Sequence, residues 1–197
     1  MMTSSNSRQQ LRQTIRQRRR QQPLVEQQLA SQHLIQRIAK QPWFHQAKHI
    51  ALYFPHHGEI DPTPLCHLAE QRHQHCYFPR VVDRPQKLLY FLPHRLGQSV
   101  HYNRFGIMEP KGTTAQAIPL TQLDIIFTPL AAFDQHCHRL GLGGGYYDRT
   151  FAQLTAPHHP PPLRIGLAYE WQKIPVLDHA VWDVPLHGVM TNQHFYT

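Results

Sequence analysis

Three short apolar runs, at residues 49–54, 123–128 and 163–169, constrain this chain most: each is long enough to cross a sheet and too short for a buried helix. They are mostly apolar rather than strictly alternating, which is the pattern of strands covered on both faces in a parallel sheet. Helical patterns lie around them. Pro23 opens one, with Leu24, Val25, Leu29, Leu34, Ile35 and Ile38 forming a stripe up to Gln41. A turn at residues 58–62 starts another through about Arg72, and residues 146–154 form a third. Residues 75–82 and 87–92 read as further strands, and residues 184–191 contain a last short one. Residues 105–110 read as a loop with one buried anchor. Strands alternating with helices on short connections imply an α/β fold: a three-layer, open, mostly parallel sheet with helices on both faces. A length of 197 residues without internal repeats suits one domain over residues 1–197, and the proline-rich stretch at 157–162 is too short to divide it.

The densest chemistry lies in residues 139–149, Arg-Leu-Gly-Leu-Gly-Gly-Gly-Tyr-Tyr-Asp-Arg, which hold four of the ten glycines. Glycine frees the backbone and removes the side chain that would keep a ligand away. Outward N–H groups can then cradle phosphate oxygens, and a helix starting at Tyr146 adds the positive end of its dipole. A turn that merely joins strand to helix is the plainer alternative. Tyr146 directly after Gly145 excludes a P-loop, which needs Gly-Lys there, and the same tyrosine three beyond Gly143 excludes the dinucleotide fingerprint. Glu59 and Asp61 follow the first strand, where open α/β sheets place their ligand contacts. Asp61 is better explained as an N-cap ahead of Pro62. Glu59 has no such structural role.

Charge narrows the partners without choosing one. The formal net charge is +8, and Arg8, Arg12, Arg16, Arg18, Arg19 and Arg20 sit in the first twenty residues without an acid. A helix over about 5–22 would put Arg8, Arg12 and Arg16 on one face, but Leu11 and Ile15 form a stripe too thin to bury firmly. A solvated basic face or a disordered arm would account for it. Polyanions of any kind suit such a charge, so a basic nucleic-acid-binding protein using this arm is the alternative function; it leaves Glu59, Asp148 and Asp183 without work. Cys66, Cys76 and Cys137 are scattered, with no C-x-x-C pair, which points to a reducing, cytoplasmic location. No stretch reaches the ~18 apolar residues of a membrane span. Neither His136-x-His138 nor His56-His57 has the spacing of a zinc site.

Phe133-Asp134 followed by Arg139-Leu-Gly-x-Gly-Gly-Gly-Tyr-Tyr-Asp148 resembles the signature of the 5-formyltetrahydrofolate cyclo-ligases, also called 5,10-methenyltetrahydrofolate synthetases. Matches continue in order across the chain: Arg8-x-x-Leu11-Arg12; Leu52-Tyr-Phe with Gly58-Glu59; Phe78-Pro79-Arg80; Phe105-Gly-Ile-x-Glu-Pro110; Leu123-Asp124; Gly166-Leu-Ala with Gln172; and Asp183-Val-Pro-Leu. The resemblance implies an enzyme that uses ATP and Mg2+ to convert 5-formyltetrahydrofolate into 5,10-methenyltetrahydrofolate through a phosphorylated formyl group, releasing ADP and phosphate. Such chemistry asks for positioning and charge stabilisation rather than a protein nucleophile.

Carried over by position, the resemblance gives nucleotide contacts at Arg8, Arg12, Arg139, Leu140, Gly141, Leu142, Gly143, Gly144, Gly145, Tyr146 and Tyr147. It gives folate contacts at Phe54, Glu59, Leu142, Gly143, Gly144, Gly145 and Tyr146, and magnesium contacts at Asp148 and Asp183. Arg139, Tyr147 and Asp148 carry the catalytic roles, and the basic helix packs near the nucleotide. The implied partner is a small molecule, 5-formyltetrahydrofolate with or without a polyglutamate tail, for a monomer that engages neither nucleic acid nor membrane. Four positions depart from the family pattern: Arg8 for Lys, Cys137 for Gly, Leu142 for an aromatic or basic residue, and Trp182 for His.

Overall fold

The apolar runs become the centre of a seven-stranded sheet in a computed structural model, which describes residues 4–82, 85–154, 160–178, 180 and 183–197. In chain order the elements are α1 (Ser4–Gln21), α2 (Leu24–Ile38), α3 (Pro42–Gln46), β1 (His49–Ala51), α4 (Leu65–Gln71), β2 (His75–Val82) and β3 (Leu88–Pro93). Two short strands, β4 (Val100–Tyr102) and β5 (Met108–Pro110), precede β6 (Ile125–Pro129), β7 (Ala132–Phe133) and β8 (Arg139–Leu140). Then come α5 (Tyr146–Phe151), β9 (Leu163–Ala168), β10 (Gly188–Thr191) and β11 (Phe195–Tyr196). The sheet runs β11-β10-β9-β6-β1-β2-β3. Its middle, β10 to β2, is parallel, and the antiparallel strands β11 and β3 close the two edges.

Period-two alternation sorts the strand residues into two cores. Ile50, Ile125, Phe127 and Ile165 face α2, α3 and α4 and pack with Leu34, Ile38, Phe44 and Leu65. Ala51, Ile126, Ala168 and Val189 point the other way, onto Phe133, Phe151 and Leu186. Each large aliphatic or aromatic side chain so buried contributes about 1.5–3 kcal/mol. The expected α/β sheet with helices on both faces is therefore what forms, with α5 and the β7–β8 hairpin covering the second face.

Several elements differ from expectation. Laddering of the first strand stops at Ala51, although buried chain continues through Phe54 and Leu52 N–H still donates to the Tyr77 carbonyl at 2.8 Å. The next helix starts at Leu65, behind Pro62 and Pro64, so Asp61 is no N-cap; its Oδ1 accepts from Thr63 N–H at 2.8 Å in a turn of its own. Residues 108–110, read as loop, pair with β4, and α5 ends at Phe151. Only Gly188–Thr191 of the last predicted segment is strand. Trp182 and residues 157–159 lie outside the described residues.

The largest correction concerns α1. Ile15 is only 6 % exposed, in a cluster with Ala131, Ala132, Leu140 and Leu177, and Leu11 packs beside it. Small alanines on β7 and just before it let the helix approach closely, so one buried isoleucine suffices where the stripe looked too thin. Polar contacts from its arginines complete the docking, and the helix is neither a free arm nor solvated all round. Among the described residues no helix is long and apolar enough to cross a membrane.

Candidate active site

A cavity of about 420 Å³ opens at the carboxyl ends of β1 and β6, where ligands sit in open α/β sheets. Three pieces of chain surround it: the loop after β1, the glycine stretch leading into α5, and the β4–β5 hairpin, with α1 laid across one side. Phe54, Pro79, Val81, Leu89 and Ile107 make its wall apolar, while Glu59, Arg139 and Asp148 bring charge to it. That combination of apolar wall and a few charged groups suits a small-molecule ligand.

Arg139 comes off β8 and is only 4 % exposed. Its guanidinium pairs with Asp148 from the first turn of α5, reaches Thr128 Oγ1 at 3.5 Å, and lies 5.8 Å from the Tyr147 ring centroid and 5.5 Å from that of Phe151. Its buried Nε has no hydrogen-bond partner, so part of this cation's hydrogen-bonding capacity is unused. Val184 N–H donates to Asp148 Oδ1 at 3.4 Å. Burial raises the Tyr147 phenol, and nearby Glu59 adds to the rise, so the hydroxyl stays protonated and available as a donor.

Glu59 is buried. Loss of solvent pushes its carboxyl up to about 7, against the pull of Arg19, whose Nη1 stands 3.4 Å from Oε1, and of the His56 N–H, which donates to Oε2 at 3.1 Å. His56 and His57 at the mouth are held below the usual imidazole range, by burial first and then by neighbouring charge that includes Arg16, Arg19 and Arg20.

The glycine stretch has a second, outer side. Arg12 Nε donates to the Gly141 carbonyl at 2.8 Å, and its guanidinium lies beside Gly143. Next along the helix, Arg8 pairs with Asp183 at 2.9 Å, whose Oδ2 also accepts from Ala180 N–H at 2.8 Å. Gly145 holds φ +67° at the start of α5, a conformation a side chain would strain. Since α5 has only six residues, its dipole is weak, and any anion here relies on loop N–H groups and arginines.

The site residues expected from sequence therefore fall into two groups. Phe54, Glu59, Arg139, Gly141, Leu142, Gly144, Gly145, Tyr146, Tyr147 and Asp148 line the cavity; Arg8, Arg12, Gly143 and Asp183 gather on the outer side. Leu140 belongs to neither, being fully buried against Ile15 and Ala132. Asp148 and Asp183 are each paired with an arginine, and among the described residues no group of three His, Cys, Asp or Glu is placed to hold a metal. Two carboxylates suit a hard dication only when phosphate oxygens and water complete its shell.

Sequence reasoning missed Arg19, Glu109 and Asn103, all of which line the cavity. For Arg19 a signal existed: the spacing 8, 12, 16 continues on the same helix face to 19. The departure at Cys137 has a physical basis, because it sits at φ +60°, the left-handed region where glycine is at ease. His138 Nδ1 lies 2.9 Å from buried Asp134, which also accepts from the His136, His138 and Leu177 N–H groups; burial alone would raise that carboxyl, and these bonds together hold it below its usual range.

Fold and site together define an α/β protein with a ligand cleft at the carboxyl edge of its sheet, bordered by a glycine loop and buried arginines. The chain belongs to the 5-formyltetrahydrofolate cyclo-ligase family, whose model matches residues 4–192. It is 37 % identical to a 5-formyltetrahydrofolate cyclo-ligase of Haemophilus influenzae over 95 % of this chain and 98 % of that one. With the Escherichia coli K12 enzyme of the same name the identity is 34 %, over 90 % and 96 %. An NMR structure of Aquifex aeolicus 5,10-methenyltetrahydrofolate synthetase superposes with a TM-score of 0.80 at 28 % identity, covering 96 % of this chain and 91 % of that one. A Mycoplasma pneumoniae 5,10-methenyltetrahydrofolate synthetase gives 0.71 at 25 % identity, over 97 % and 99 %.

Proposed function

We propose that this chain catalyses the ATP-dependent closure of 5-formyltetrahydrofolate to 5,10-methenyltetrahydrofolate with release of ADP and phosphate. One observation carries the reading: a buried carboxyl group, Glu59, borders a largely apolar, aromatic-walled cavity that is also lined by the buried guanidinium of Arg139 and by the glycine loop.

In this reading the folate ring occupies the apolar wall beside Phe54, with Tyr146 and the backbone of residues 142–145 along its edge. The triphosphate lies on the glycine loop, held by Arg8 and Arg12 from α1. The formyl oxygen bonds to the terminal phosphorus as the bond to the bridging oxygen breaks and ADP leaves. N10 then attacks the formyl carbon, the carbon–oxygen bond to phosphate breaks, and the N10 proton is released. Positive charge builds on N5 and the formyl carbon, and Glu59 offsets it; the Arg139 guanidinium, which lines the same cavity, offsets the negative charge on the transferred phosphoryl group. Tyr147 donates its hydroxyl proton in a hydrogen bond and does not ionise. Asp148 orients Arg139. With Asp183, Asp148 would also hold a Mg2+ ion whose shell phosphate oxygens complete, supplying further neutralisation of phosphate charge.

A polyglutamate tail on the substrate, a monomeric state and a cytoplasmic location extend the same reading; the positive rim at Arg16 supports the first and the three unpaired cysteines the last. The nucleic-acid alternative is not favoured, since Arg8, Arg12 and Arg19 are engaged by Asp183, Gly141 and Glu59. Purified protein with MgATP and 5-formyltetrahydrofolate is expected to generate the near-ultraviolet absorbance of the methenyl product. Absence of turnover at saturating substrates would overturn the proposal.

A further inference from the structure

Glu59 does not stand alone in the cavity wall. Arg19, 2 % exposed near the end of α1, brings Nη1 to 3.4 Å from Glu59 Oε1, and both side chains line the cavity. The loop carrying Glu59 lies directly on the helix: Gly58 has φ +72°, and a Cβ there would stand 2.7 Å from the Arg19 carbonyl oxygen. Only glycine allows that approach. Yet the pair is not saturated, because neither Arg19 Nε nor Glu59 Oε1 has a hydrogen-bond partner. A purely structural bridge, buried this deeply, would be expected to satisfy both atoms. This one leaves capacity unused in the cavity wall.

We infer that Arg19 is a positioning residue for the reaction proposed above: it supplies the counter-charge to Glu59 and fixes its carboxylate against the folate. The inference rests on that reading of the site. Other groups do not take over the task. Tyr53, Tyr147 and Tyr169 approach Glu59 from the strand extension, from α5 and from the turn after β9, and each is a neutral phenol held protonated by burial. His56, on Glu59's own loop, contributes its backbone N–H, while its ring is disfavoured as a cation by burial and by neighbouring positive charge. Arg16 adds positive charge more weakly from the same helix. Arg19 alone among the described cations forms an ion pair with this carboxylate.

A structural role and a positioning role separate in the pH profile of kcat/KM for 5-formyltetrahydrofolate at saturating MgATP. The wild type should show an acid limb from Glu59. Arg19→Met, which keeps bulk but removes charge, is expected to move that limb upward by roughly 1–3 pH units, the usual effect of taking away one close counter-charge. Arg19→Lys should leave it near its wild-type position. Arg19→Gln serves as a second neutral variant should Met not fold, with folding checked by the melting transition. A folded neutral variant whose limb stays put overturns the inference, and so does a Lys variant that shifts as far as Met. Wild-type protein that does not turn over the folate at all would sink the functional proposal instead, a failure visible before any variant is made.

Discussion

Arg139 is nearly sealed from solvent, and an unpaired guanidinium in such a place is costly, so Asp148 serves the fold as well as any chemistry. Removing the carboxylate by Asp148→Ala should therefore do two things: lower turnover and lower stability, the latter by about 3–5 kcal/mol, the penalty for stranding one partner of a buried pair. Asp148→Asn separates them. Its Oδ1 still accepts from Arg139 and Val184 N–H, so urea unfolding should show a much smaller loss than for Ala, while turnover should still fall on the order of 100-fold. Equal turnover in wild type and the Asn variant would remove Asp148 from the mechanism. Glu59 supports a second residue-scale expectation. Its folded-state pKa of about 7 lies above the ordinary value of ~4.3, so ionising it costs stability; that cost is absent below the unfolded pKa and grows as pH rises through the folded one. Glu59→Gln removes this dependence. Whatever the fixed cost of leaving Arg19 unpaired, the stability of the Gln variant relative to wild type should improve by roughly 2–3 kcal/mol between pH 5 and pH 8. Parallel stability profiles would show that Glu59 is not raised.

At the scale of the element, α1 ties the two sides of the site together: Arg8 and Arg12 reach the outer side of the glycine loop and Arg19 the cavity, while Ile15 anchors the helix between them. Ile15→Asp should undock it, because a carboxylate cannot remain among Ala131, Ala132 and Leu140 without a partner. KM should rise for ATP and for the folate together, whereas Arg12→Ala should act mainly on ATP; an Ile15→Asp enzyme with only one KM changed would break the link. The helix also marks what sequence could and could not disclose. Its existence and basic face were legible from composition and spacing, and so were the strands, whose mostly apolar character follows from burial on two faces. Its docking was not, since the small surface that receives Ile15 is assembled from Ala131, Ala132 and Leu177, far along the chain. The same holds inside the site. Glycines, Arg139 and Glu59 announce themselves by type and spacing, but Arg19 has meaning only once Gly58 has let the Glu59 loop settle against it.

For the whole molecule, the charge of +8 is partly concentrated around the site. Arg8, Arg12 and Arg19 are spent within the site, and Arg16 with Arg20 leaves a positive rim where burial first, and then neighbouring positive charge, disfavours protonation of His56 and His57. Both substrates of the proposed reaction are anions, so this field should act on their approach, and approach is what salt screens: the Debye length falls from about 10 Å at 0.1 M to about 3 Å at 1 M. Once bound, the reacting groups lie in a cavity bordered by buried side chains, where screening by ions is weak. Raising KCl from low concentration to about 0.5 M should accordingly lower kcat/KM for both substrates several-fold while kcat changes little. Steady-state kinetics across a salt series, with magnesium held saturating, measures both at once. A kcat that falls in step with kcat/KM would mean that salt is disturbing the buried pairs Arg139–Asp148 and Arg19–Glu59 themselves, and that the charge does structural work instead of steering.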